Sequence, residues 1–70
     1  ALRVLRSPAD GVFTSKCRIT DIVKAGQVIA EVAGMPITSP IEGMVRGLIH
    51  DALPVTAGQK IGDIDPRPVK

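Results

Sequence analysis

The chain repeats itself, and the constant offset of that repeat constrains its fold more than any other feature. Ser7-Pro8-Ala9-Asp10-Gly11-Val12 matches Ser39-Pro40-Ile41-Glu42-Gly43-Met44, and Val23-Lys24-Ala25-Gly26-Gln27 matches Val55-Thr56-Ala57-Gly58-Gln59, both at the same offset and with no gap between the blocks. Of the 26 positions aligned from Ser7 to Val32, eight are identical, where unrelated sequences of ordinary composition give about one or two. Acid meets acid at Asp10/Glu42 and Glu31/Asp63, and apolar meets apolar at Phe13/Val45, Cys17/Ile49 and Val32/Ile64. A fixed period identifies the building block before any strand or helix is assigned.

Each unit reads as strand, turn, strand. Ser-Pro opens it, because proline has no N–H for a ladder and is confined to the start of a strand or to an edge. The acid-Gly pair that follows is a turn or bulge signal, with Gly11 and Gly43 free to adopt positive φ. Val12-Phe13-Thr14 and Met44-Val45-Arg46 are strand-like. The Ala-Gly-Gln tripeptides mark tight turns, which predicts positive φ at Gly26 and Gly58. Apolar alternation resumes at Val28, Ala30 and Val32, with Ile29 and Glu31 on the other face. The matching Lys60, Gly62 and Ile64 belong to a weaker pattern whose large apolar residues are Ile61 and Ile64.

A single unit of this kind is marginal in water, so the two must pack on each other. The expected fold is all-β: a flattened sandwich in which units 7–32 and 39–64 interleave about a pseudo-two-fold axis. Gly34-Met35-Pro36 joins the units and is expected to form an exposed hairpin tip.

Seventy residues permit one domain, and a chain this short buries only about 60% of its unfolded surface. Phe13 is the one aromatic residue, so Val, Ile, Leu, Ala and Met must fill the core, a composition that favours strands. Nine Lys and Arg face seven Asp and Glu, but Arg3, Arg6, Arg67 and Lys70 lie at the termini; from Ser7 to Pro66 the count is five against seven, or −2. With no basic stripe and no stacking aromatics, nucleic acid is excluded as a partner. Cys17 has no second cysteine to pair with, and the cytoplasm is the expected compartment. No apolar run approaches the roughly 20 residues that span a bilayer, and no leader pattern opens the chain. The alanine start, with strand-like sequence close behind it, suggests a domain cut from a longer chain.

The Ser-Pro-x-Asp/Glu-Gly block, the Val-x-Ala-Gly-Gln-x-Ile block and the repeat together resemble the biotinyl and lipoyl carrier domains, over roughly Arg3 to Asp65. The resemblance implies a barrel-sandwich hybrid whose modified lysine sits at the tip of the joining hairpin. Attachment requires an amine there. Ala33-Gly34-Met35-Pro36-Ile37 contains none, and Lys16, Lys24, Lys60 and Lys70 fall elsewhere. The expectation is a carrier-shaped domain with no cofactor, no catalytic residue and no metal. A closer resemblance, in Arg46-Gly47-Leu48-Ile49-His50-Asp51-Ala52-Leu53-Pro54-Val55 and Gly62-Asp63-Ile64-Asp65-Pro66-Arg67, is to the C-terminal domain of accessory proteins of the selenium-dependent molybdenum hydroxylase system. That resemblance implies a scaffold or interaction role, with the remainder of its own chain and a molybdenum enzyme as partners. Ala52 departs from the pattern, which has glycine after Asp51. Two alternatives stay open: a carrier using an atypical lysine, and the β-domain appended to zinc-dependent deacylases of the aspartoacylase type. Oligomeric state is open as well, since small sandwiches have edge strands.

Among individual residues, His50 lacks the partners that a metal site or a general base needs and reads as a solvated turn residue. Cys17, aligned with Ile49, reads as a small core hydrophobe. Asp63 and Asp65 alternate with Ile64 and read as a solvated strand end. Arg46 and Lys60 read as surface charges.

Overall fold

The computed structural model describes residues 2–66; Arg67 and Lys70, counted above among the terminal charges, lie outside the described residues. Among the described residues there are eight strands and no helix: β1 (Arg3–Arg6), β2 (Gly11–Ser15), β3 (Ile22–Val23), β4 (Val28–Val32), β5 (Met35–Thr38), β6 (Gly43–Leu48), β7 (Pro54–Val55) and β8 (Lys60–Asp65). They form two four-stranded antiparallel sheets, ordered β1-β8-β6-β3 and β5-β4-β2-β7. β3, from the first unit, lies beside β6 of the second, and β7, from the second, lies beside β2 of the first. Strand starts fall in pairs that keep the offset of the repeat: Arg3 and Met35, Gly11 and Gly43, Ile22 and Pro54, Val28 and Lys60.

Between the sheets lie Leu5, Phe13, Val23, Ile29, Ala30, Val32, Ile37, Val45, Val55, Ile61 and Ile64, all buried. Phe13 is fully enclosed, as the largest side chain of so small a core must be.

The alternation expected along β4 does not hold. Val28 is exposed while Ile29, Ala30 and Val32 are buried, because the register shifts between Val28 and Ala30 and Ile29 becomes the extra residue of a bulge. Ile61 is skipped in the same way where β8 meets β1, between Lys60 and Gly62. A bulge re-aims one side chain, and here it turns both isoleucines into the core.

The Ser-Pro segments are bends ahead of the strands and do not begin them. Ser7 and Ser39 are buried, and their hydroxyls donate to Ala9 O (2.7 Å) and Ile41 O (2.6 Å). Each corner is tied to the Ala-Gly-Gln turn of the other unit. Ser7 N donates to Gln59 O (2.9 Å) and Gly58 N to Ser7 O (2.8 Å), while Ser39 N donates to Gln27 O (2.9 Å) and Gly26 N to Ser39 O (2.7 Å). Both turns are closed by a glutamine whose Oε1 accepts from the chain three residues back, Lys24 N (3.0 Å) and Thr56 N (3.1 Å). Gly26 and Gly58 have φ of 86° and 84°.

The acid-Gly pair reads as a turn or bulge signal with glycine free to adopt positive φ; Gly43 does not use that freedom and opens β6 without a positive φ. A Cβ at Gly43 would run into the Asp65 carbonyl oxygen and lie 2.8 Å from Ile64 Cγ2. One at Gly11 would lie 3.0 Å from Val32 Cγ1 and 3.2 Å from Ala33 Cβ. At both positions glycine makes room for the end of the neighbouring strand.

Candidate functional site

The segment joining the units is where a carrier would display its lysine, and its geometry follows from two residues. Val32 pairs with Met35 across a two-residue loop, Ala33-Gly34, with φ of 52° and 76°. Positive φ at both central residues is the type I′ signature, whose twist matches that of the flanking strands. The apex is therefore Ala33-Gly34 and not Gly34-Met35-Pro36: Met35 and Pro36 already belong to β5, opposite Val32 and Glu31. Ala33, Gly34, Met35 and Pro36 are all exposed. The apex offers a methyl group and a hydrogen atom, neither of which is a nucleophile.

Three of the four lysines are described, and each lies away from this apex. The Lys24 turn is bonded to Ser39, at the far end of β5, about 13 Å from Met35 at the usual rise per residue. Lys16 N donates to Ile29 O (2.8 Å), three residues down β4 from the hairpin, or about 10 Å. Lys60 begins β8 in the other sheet and its ammonium sits 3.1 Å from Asp63 Oδ2.

Asp63 and Asp65 are not a solvated strand end. Each is 8% exposed, on a strand with neighbours on both sides. Arg46 and Lys60 are surface charges, as expected, and each also pairs with one of these acids: Lys60 with Asp63, and Arg46 with Asp65 at 3.5 Å. Asp63 Oδ1 is buried with no hydrogen-bond partner, above Gly47, where a Cβ would come within 2.8 Å of it. No period in the sequence signals this burial, because it depends on which strand becomes central.

Cys17 is half-buried and packs against the core, as does Ile49, its counterpart in the repeat. Burial, with the Asp21 carboxylate adding to it, pushes the Cys17 thiol above its ordinary value. It lines an open groove of about 540 Å³ with Ser15, Lys16, Arg18 and Asp21, but a raised thiol pKa leaves little thiolate to act as a nucleophile. His50 is exposed between β6 and the Asp51-Ala52 turn. Asp51 Oδ1 accepts from Ser15 N at 2.7 Å, which fastens that turn to β2. Ala52, where the accessory-protein pattern has glycine, has φ of 66°. Among the described residues no three His, Cys, Asp or Glu side chains converge as a metal site, and no helix is long and apolar enough to cross a membrane.

No protein-family model matches the chain. Over 65 residues, 93% of its length, it is 52% identical to the uncharacterized protein YqeB of Escherichia coli (strain K12). The chain spans 12% of the length of that relative.

Proposed function

We propose that the domain has the barrel-sandwich architecture of biotinyl and lipoyl carriers, its two units related by a pseudo-two-fold axis, and that it carries no group. It serves as a non-catalytic interaction or scaffold domain within a larger cytoplasmic accessory protein, which matures a selenium-dependent molybdenum hydroxylase. The observation that carries this reading is the joining turn: Ala33-Gly34 has the tight exposed geometry of a display site and lacks the amine to be displayed. The matched strand starts and the crosswise Ser7/Gly58 and Ser39/Gly26 bonds support the two-fold relation. The accessory role is supported by the resemblance in Arg46 to Val55. The 12% span of the YqeB relative leaves room for a large parent chain.

The test is deletion of this segment from the full-length parent in its own cell, followed by assay of molybdenum hydroxylase activity and of the amount of hydroxylase polypeptide. Activity should fall while the polypeptide persists. Full activity after deletion would overturn the assignment.

A further inference from the structure

The repeated residues are spent on the fold, so what distinguishes the two halves lies where they differ. The edges differ. β1 and β5 each form one edge of their sheets, with the two-residue strands β3 and β7 at the opposite edges; they begin at matching positions of the repeat, and among the described residues each pairs on one side only, with β8 and with β4. Backbone polar groups alternate between the two sides along an antiparallel strand. Ser7 uses both its N–H and its C=O on the Gln59 and Gly58 side, so Leu5 and Arg3 face β8 while Val4 and Arg6 turn theirs outward. The Ser39 bonds to Gln27 and Gly26 set the same phase on β5, where Pro36 is an outward position.

Pro36 therefore removes the outward donor of β5 without harming its ladder to β4, a common guard against strand addition. Val4, its counterpart in β1, keeps its donor. Of this matched pair β1 is the unguarded edge, and its chemistry is specific. Arg3 and Arg6 are its first and last residues, the Arg6 guanidinium donating through Nη1 to Gly58 O at 2.9 Å with its other N–H groups left for a partner, and residues 1–9 contain no acid. Asp63, opposite Val4, is buried and paired with Lys60. Leu2 and Val4 are 44% and 46% exposed and add apolar contact.

We infer that β1 accepts an extended acidic segment of a partner protein as an added strand. Backbone bonds to Val4 and Arg6 would give affinity, and carboxylates beside Arg3 and Arg6 would give selectivity. A second copy is the poorer occupant, since it brings the same two arginines to the seam. The inference deepens the proposed role: it rests on the domain being an interaction module and not on the identity of its enzyme.

The experiment titrates the isotope-labelled 70-residue chain with a synthetic peptide alternating Glu and Val, and separately with its Lys/Val counterpart, and follows backbone amide signals. The acidic peptide should shift Val4 and Arg6 and slow their amide exchange, an effect that weakens with salt, while the basic peptide does neither. Val4→Pro should weaken binding about tenfold, the worth of one good ladder bond. Its thermal midpoint should stay near that of the parent chain. If that variant fails to fold, Arg3→Glu tests the same point by shifting preference toward the basic peptide. Equal response to both peptides, no response, shifts centred on another strand, or peptide-free dimers protected at β1 would each overturn the inference. A failed titration alongside impaired hydroxylase on deletion would remove strand addition and leave the proposed role standing.

Discussion

Replacing Thr20 with glycine should stabilise the protein. Thr20 has φ of 82°, in the left-handed region, where a side-chain-bearing residue loses about 1–2 kcal/mol. Threonine, branched at Cβ, belongs at the upper end of that range. Glycine removes this strain but adds chain entropy to the unfolded state, about 0.5–1 kcal/mol. The side chain is exposed, and the N–H that donates to Val45 O at 2.7 Å survives the change, so no packing or hydrogen bond is lost. The balance is a gain of about 1–1.5 kcal/mol, or about 4–12 °C in the midpoint for a domain of this size. Calorimetric melts and urea titrations of Thr20→Gly beside the parent chain read it directly. Ala52→Gly, at φ of 66° and at the position that matches Thr20 in the repeat, should act in the same direction but less, alanine having no γ-atoms. An unchanged or lower midpoint for Thr20→Gly would show that the loop holds this residue without strain and refute the reasoning.

Gly26→Val and Gly58→Val should each lower stability by about 1–3 kcal/mol. An added Cβ meets nothing within 4 Å at either site, so near-equal losses in urea titrations are expected from backbone strain alone. Gly43→Ala should lose about 1–3 kcal/mol by a different route, overpacking against Asp65 and Ile64, and amide exchange should rise first along β6 and β8. Cys17 should alkylate slowly at neutral pH and faster as pH rises through its raised pKa, with Asp21→Asn accelerating it by removing one of the two causes. Because folding favours the neutral thiol, its contribution to stability is complete below the unfolded pKa and is lost as pH rises through the folded one.

Several residues identical between the units were legible because they meet a strict backbone requirement, and Val23, Val55, Ile29 and Ile61 because they fill the core. Ser7 bonds to Gly58 and Gln59 across the units, as Ser39 does to Gly26 and Gln27, and few other residues satisfy those corners. The all-β sandwich follows from them. The alternation at β4 misled because Ile29 is buried by a bulge, and a bulge leaves no trace in a period-two pattern. The joining turn was misplaced by one or two positions because proline suggested a loop, whereas Pro36 sits on an edge strand where its missing N–H harms nothing. The burial of Asp63 and Asp65 was illegible for a different reason. It depends on β8 lying between β1 and β6 and on Lys60 and Arg46 folding over the acids, and these are long-range facts. What a carrier domain would need was visible in the sequence as an absence, and the fold adds where that absence falls.

The central claim is carrier architecture without carrier chemistry, and intact mass tests it most directly. The purified chain is incubated with ATP and a biotin ligase plus biotin, and separately with a lipoate ligase plus lipoate, beside a chain with Gly34→Lys that places an amine at the apex of the joining turn. The account predicts an unchanged mass for the natural chain in both reactions. A natural chain that gains the mass of biotin or lipoate would contradict it, and the modified lysine, located by peptide mapping, would then mark the true functional site.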